Sequence, residues 1–500
     1  MPRRPLLLRP LHALALASLT AALAAACTSK TVKKDAPEEA AQTPEEAPEA
    51  EPKRLEASAG PVHVEVIPNF SLVDSRALPG KLDLLVRLRG DEKGQAPRPP
   101  LDVAVILDRS GSMSGDKILA VKQAALDLLK QLEPGDRISL LSYSDDVSVH
   151  SARVLADAAG ITGVRQALLP IEATGGTALG PAMIQGLGLL EEAKRPEEAL
   201  AHVLLLSDGQ ANVGESRPEI LGARAAEGFG KGVSVSTLGV GLDYNEDLMT
   251  KLADQGGGRY HFIQDSQAIP RVLADEMAGL VATVASGMNL ELRPADGVKV
   301  DAVFGYPTTD EGALKRAKVG SLGAGQSRDI IVRLQLPQAT GETMALGVLA
   351  VDFADVTAKG ERRRAEIALS VDLSADEAKL RDSENTEVTV RVAEVESAAQ
   401  LEAATRAVAT GEYDKAKLLI QQDIDRLEIL QQTAKSDDIA AQIADLKEAE
   451  ANVAKAEVSQ EESKLFQKSY KKQAYSKAKG SYATKKKGPS KKKSTKDPFK

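Results

Sequence analysis

Along residues 62–88 the apolar positions alternate with polar ones: Val62, Val64 and Val66, then Leu82, Leu84, Val86 and Leu88. A period of two places one face against a core and the other towards solvent, so the spacing predicts half-buried strands. The pattern changes after the proline cluster QAPRPP. From 101 to about 287 short continuous apolar runs, LDVAVIL, RISLLSY, HVLLLSD and GVSVSTLGV, are separated by helical candidates near 116–132, 180–195, 217–229, 245–255 and 266–285. Runs without polar interruption suit strands covered on both faces. Their alternation with helices predicts a doubly wound α/β domain with a mainly parallel sheet.

Beyond Ser286 the period of two returns in MNLELR, VKVDAVFGY, RDIIVRLQLP, MALGVLAVDF and AEIALSVDL, an antiparallel sandwich pattern. From 374 to about 460 Ala, Leu, Gln, Lys and Glu recur at helical spacing. Within that stretch Gly411, Tyr413 and Ala416 form a Gly-x-Tyr-x-x-Ala turn between two amphipathic segments, similar to a tetratricopeptide hairpin. One repeat is too short for a solenoid, so a helical hairpin packed on the body is expected. The expected organisation is therefore multidomain. A signal peptide (1–26) and a linker (27–60) lead into sandwich strands (61–98), the α/β domain (99–287) and further sandwich (288–373). A helical region (374–460) and a disordered tail (461–500) follow. The two strand clusters are expected to fold together as one sandwich with the α/β domain inserted.

Composition changes the picture mainly at the ends. The net charge of -8 hides an acid-rich segment near residue 40 and fourteen lysines in the last forty residues. The lysine tail suits anionic polymers or lipids, and no specific nucleic acid is expected as a partner. Trp is absent and Cys27 is the single cysteine, which excludes an intramolecular disulfide and a cysteine-based metal site. Arginines at 3, 4 and 9 precede an apolar run that ends in small residues, the layout of an export signal. With Ala24, Ala25 and Ala26 before it, Cys27 resembles the lipidated cysteine of bacterial lipoproteins, although the leucine usual three residues upstream stands one place further away, at Leu23. That resemblance implies lipidation at Cys27 and a membrane anchor in the bacterial cell envelope, and Thr28 after the cysteine, in place of Asp, resembles lipoproteins sent to the outer membrane.

The chemistry concentrates in AVILDRSGSM. In an open α/β sheet ligands bind beyond the carboxyl ends of the strands, and Asp108, Ser110 and Ser112 lie just past the first central strand. Thr177 follows a glycine pair in EATGGTALG, and Asp208 ends another central strand in LLLSDG. Two carboxylates and three hydroxyls are hard oxygen donors, suited to Mg²⁺ and likewise to Mn²⁺ or Ca²⁺. Capping of the following helix is the ordinary alternative for Asp and Ser at such a turn. It does not account for Thr177 and Asp208 at the same sheet edge.

Over about 100–285 the chain resembles the von Willebrand factor type A (VWA) family, whose metal-ion-dependent adhesion site (MIDAS) reads D-x-S-x-S, a distant Thr and a distant Asp. Carried over by motif, Asp108, Ser110, Ser112, Thr177 and Asp208 are the implied metal site. The segment VGSLGAGQSRDIIVRLQLP also resembles the strand-loop-strand following such domains in bacterial and inter-alpha-trypsin-inhibitor heavy-chain-like proteins. The resemblance implies a Rossmann-like fold and a cation with a coordination position open to a partner's Asp or Glu. The expected function is thus adhesion or complex assembly. No enzyme is expected, because none of the five histidines lies in these motifs to serve as a general base. His202 and His261 read as structural residues in strands. The alternative is an envelope scaffold whose metal only stabilises the fold and whose helices make the contacts.

Overall fold

The structure, a computed structural model, describes residues 54–92 and 98–480. The first strands are β1 (Leu55–Ala59), β2 (Val62–Pro68), β3 (Leu72–Asp74) and β4 (Gly80–Gly90). The α/β domain follows as β5 (Leu101–Asp108), α1 (Asp116–Leu129), β6 (Arg137–Tyr143), β7 (Val147–Leu155), α2 (Ala158–Leu168) and α3 (Leu179–Glu191). It continues through β8 (Leu200–Ser207), α4 (Pro218–Gly230), β9 (Val233–Val240), α5 (Glu246–Gln255), β10 (Gly257–Ile263) and α6 (Ile269–Val281). Its sheet runs β10-β9-β8-β5-β6-β7, parallel except for β7 at the edge. All eight residues of β5 are buried. Val103, Val105 and Leu107 face α1 and α6, whereas Ala104 and Ile106 face α3, α4 and α5. An uninterrupted apolar run is what this two-sided burial requires.

The chain then forms β11 (Thr283–Pro294), β12 (Lys299–Val303), β13 (Thr308–Glu311), β14 (Leu314–Gly323), β15 (Ser327–Leu336), β16 (Thr343–Asp355) and β17 (Glu361–Ser374). Strands from both sides of the α/β domain pair with one another. One sheet runs β1-β2-β4-β15-β12 and the other β13-β14-β11-β16-β17-β3. Their inner faces meet in one core, where Val64, Val86 and Leu88 join Leu290, Val332 and Phe353.

Helices α7 (Glu377–Asp382), α8 (Thr386–Ala409), α9 (Tyr413–Ala434), α10 (Asp437–Val458) and α11 (Gln460–Ala478) complete the fold. Helix α8 lays Val388, Val392 and Val395 on Ile67, Leu85 and Ile331, the outer face of the five-stranded sheet.

Three expectations are corrected here. The linker over 27–60 ends early, because Leu55, Ala57 and Ala59 pack on the sandwich core while β1 pairs with β2. The helical region is more than a hairpin: α8, α9, α10 and α11 share one core, which includes Ala404, Ile420, Leu446 and Phe466. The tail over 461–500 does not begin at 461, since α11 occupies its first half. Phe466, Tyr470 and Ala474 enter the helical core. Lys464 pairs with Asp243 at 2.6 Å, Lys468 donates to the Tyr244 carbonyl at 2.8 Å, and Lys471 pairs with Asp247. Three of the lysines in this run are thus answered by the loop before α5 and by the first turn of α5, with the Lys468 ammonium over the Tyr244 ring. The signal peptide, Cys27 and residues 481–500 lie outside the described residues. Among the described residues no helix is long and apolar enough to cross a membrane.

At the base of the α/β sheet, His202 in β8 is fully buried, its Nε2 3.7 Å from Glu276 Oε1 of α6. Burial pulls its pKa down to about 4, against the opposing attraction of Glu276. The folded state therefore keeps His202 neutral while the unfolded chain takes up a proton below about pH 6.5. Its contribution is complete above that pH and is lost as pH falls towards 4. The expected loss over this window is about 3 kcal/mol, checked by denaturant unfolding from pH 7 to 4.5, with His202→Gln showing a correspondingly flatter profile.

Candidate metal centre

Strand β5 delivers Asp108 to the carboxyl edge of the sheet and ends in a tight turn. The Ser110 N–H closes that turn by donating to Asp108 Oδ1 at 2.8 Å. The other carboxylate oxygen accepts from the Ser207 hydroxyl at 2.8 Å and lies 3.2 Å from the Tyr143 hydroxyl, which is 2.8 Å from the Leu206 carbonyl oxygen. Asp108 is wholly inaccessible. Burial raises its pKa, the nearby Asp208 charge adds to this, and the Ser110 and Ser207 hydrogen bonds pull it back.

All five residues anticipated for the site come together. Ser110 Oγ lies 3.1 Å from Ser112 Oγ, and the Ser112 hydroxyl donates to Asp208 Oδ1 at 2.7 Å. Thr177 closes the ring. A Cβ placed on Gly209 would lie 3.3 Å from Thr177 Oγ1 and 3.6 Å from Ser112 Oγ, which puts both hydroxyls over the same point of the chain. Ser110, Thr177 and Asp208 are buried, whereas Ser112 is exposed at the rim. Among the described residues no three His, Cys, Asp or Glu side chains gather as metal ligands. The oxygen set here is of another kind, with hydroxyls in the majority.

Several supporting residues were not legible in the motif. Lys117, on the first turn of α1, pairs with the other oxygen of Asp208. Its place nine residues after Asp108 was a usable signal, since a helix beginning at 116 returns its first turn to the site. Asn212 Oδ1 accepts from the Thr177 N–H at 2.8 Å, and Asp145 Oδ1 accepts from the Gly176 N–H at 2.8 Å. Tyr143 and Ser207 come from neighbouring strand ends and carry no local signature. Arg109 and Asp146 form an ion pair of 2.6 Å at the rim.

The Thr177 loop is fastened to the Asp108 turn through backbone bonds, Gly111 N–H to the Gly175 carbonyl at 3.0 Å and Thr174 N–H to the Arg109 carbonyl at 2.6 Å. Gly175 sits at φ +76°, and a Cβ there would lie 2.3 Å from Asp145 Oδ2. Gly175→Ala therefore brings backbone strain and a clash together, with an expected cost of about 1–3 kcal/mol. Thermal melting checks the cost, and slower-relaxing or shifted Thr177 amide resonances would report displacement of the loop.

A model of the von Willebrand factor type A domain matches residues 102–275. An uncharacterised protein of Synechocystis is 29% identical over 290 residues, covering 55% of this chain and 66% of that protein. Human inter-alpha-trypsin inhibitor heavy chain H4 is 31% identical over 195 residues, 37% of this chain and 21% of the relative. The chain thus spans just under two thirds of one relative and about a fifth of the other. Among solved structures, a von Willebrand factor type A protein from Catenulispora acidiphila superposes with a TM-score of 0.64 at 17% identity, covering 87% of this chain and 99% of that one. The ArnB paralog VWA2 from Sulfolobus acidocaldarius gives 0.55 at 18% identity, with 84% and 100% covered. These two likenesses are of fold. Together with the sheet order and helix placement, the matches identify residues 102–275 as a von Willebrand factor type A domain.

Proposed function

We propose that this is an exported protein, anchored through lipidated Cys27 in the bacterial cell envelope on the outer-membrane side. In this reading its MIDAS holds a Mg²⁺-type cation and through it grips an Asp or Glu side chain of a protein partner, in adhesion or complex assembly. The observation that carries the reading is the convergence of three hydroxyls and two carboxylates at one sheet edge, with one hydroxyl exposed. The donor set fits a hard divalent cation, and Mn²⁺ or Ca²⁺ suits the same oxygens. Two inaccessible carboxylates faced by the single ammonium of Lys117 leave negative charge in excess, which favours a further cation there.

Asp108, Ser110, Ser112, Thr177 and Asp208 would hold the ion. When bound, it supplies a Lewis-acidic position for an incoming carboxylate. Ser207 and Tyr143 fix the orientation of Asp108. Lys117 holds Asp208 and reduces the charge that a metal has to meet, so a cation is left electrophilic. The exposed rim around Ser112, Arg109 and Asp146 is where a partner's side chain would approach.

Melting of the full chain in EDTA and then in Mg²⁺, beside Asp108→Ala and Ser110→Ala, tests the site. The expected result is a wild-type stabilisation of about 2.7 kcal/mol at a hundredfold excess over Kd, lost in both variants. Folded wild type that does not respond would overturn the metal reading. Partner capture that persists unchanged in EDTA would favour the scaffold reading, in which the helices make the contacts. For the anchor, Cys27→Ser is expected to move the protein from the membrane to the soluble envelope fraction, with loss of the lipid mass by intact mass spectrometry.

A further inference from the structure

A cleft of about 1160 Å³ lies between the base of the VWA domain and the outer face of the six-stranded sandwich sheet. It opens at Leu200, Ala201 and His202, the start of β8, and so at the opposite end of that strand from Asp208. Strand alternation builds its sandwich wall. Leu290, Ala317, Val319 and Val351 point into the core, and their neighbours Glu291, Arg316, Lys318 and Asp352 are left on the outer face with Arg362 and Arg364. Lys194, Arg195 and Lys231 stand on the VWA side.

Basic side chains in the cleft outnumber carboxylates seven to four. Three of those carboxylates are already answered. Glu291 pairs with Arg316 at 2.6 Å and Arg364 at 2.8 Å, Asp352 with Arg364 at 2.7 Å, and Glu191 with Lys231 at 3.1 Å. Among the described residues Lys194, Lys318 and Arg362 have no ion-pair partner. Arg195 directs its guanidinium to the Leu190 and Lys231 carbonyl oxygens. The Lys318 ammonium lies 5.8 Å from the Phe229 ring centroid, and burial holds its pKa below the ordinary lysine value. A half-buried ammonium without a counter-charge is costly, and a concave low-dielectric wall concentrates its field.

We propose that this cleft binds a soluble ligand carrying two or more phosphate groups, held between Lys194 and Arg195 on one wall and Lys318 and Arg362 on the other. Guanidinium and ammonium groups in combination suit phosphate oxygens. Surplus charge on both walls calls for more than one anionic group, and the volume exceeds what a single phosphate fills. Cations set between two walls are reachable by a ligand in solution and not by a flat bilayer.

The test is calorimetric titration of the full chain with pyrophosphate at fixed ionic strength in EDTA, so that failure of the metal reading leaves it unaffected. Saturable binding is expected, weakened at least tenfold in Lys318→Met/Arg362→Gln and unchanged in Asp108→Ala. Inorganic phosphate should bind more weakly than pyrophosphate. Arg362→Gln alone, at an exposed position without an ion pair, reports should the double variant fail to fold. Absence of saturable binding to wild type, undiminished binding by the folded variants, or equal binding of inorganic phosphate would overturn the proposal.

Discussion

The pairing of β4 with β15 is the constraint on which the rest of the molecule depends. It joins residues such as Arg87 and Asp329, 242 apart in sequence, and so closes the sandwich around the whole VWA domain. At its end the chain passes close to itself. The Gly90 N–H donates to the Gln326 carbonyl at 2.9 Å, Gly325 N–H returns to the Gly90 carbonyl at 3.2 Å, and Ala324 N–H meets the Ala282 carbonyl at 2.7 Å. The segment leading into the VWA domain and the helix leading out of it are thereby held by one turn. A Cβ on Gly90 would come within 2.4 Å of the Gly323 carbonyl oxygen, so only glycine admits this approach. Because both ends of the domain are tied, its base faces the sandwich and its carboxyl edge faces away.

That orientation separates two electrostatic environments along the same strands. At the carboxyl edge, Asp108 and Asp208 are buried among hydroxyls with Lys117 as their cation. At the base, arginines and lysines exceed the acids that answer them. Between the two ends, β5 and β8 are buried along their whole length, and the length of these strands separates one charge cluster from the other. A parallel sheet favours such a division, since every strand presents the same end to the same side.

The helical bundle adds a third tie. Helix α8 covers the sandwich, while α11 carries Lys464 and Lys468 to the loop between β9 and α5 and Lys471 to the first turn of α5. Lys468 lies 3.8 Å from the Tyr244 ring centroid, and Tyr475 stands edge-on to Tyr260 at 5.7 Å. The bundle therefore touches the VWA domain beside the site's face as well as the sandwich below it. Ion pairs and ring contacts act together here, and Lys468 is buried, so the contact is less exposed to screening than a purely superficial set of charges.

Local pattern determined a great deal of this protein. Continuous apolar runs against alternating ones distinguish the parallel sheet from the sandwich, because burial on two faces and on one leave different periods. Asp108, Ser110 and Ser112 were legible because one turn holds them, and Thr177 and Asp208 because strand ends in an open sheet converge on one edge. What depends on distant partners had no such trace. Tyr143 and Ser207 reach Asp108 from adjacent strands. Leu55, Ala57 and Ala59 become a strand only when β2 offers its edge, and the lysines of α11 become an interface only when Asp243 and Asp247 stand opposite them. The basic cleft exists only because two remote polar faces are brought together. Periodicity records whether a residue is to be buried, while the identity of what it meets is set by closure of the chain over more than two hundred residues.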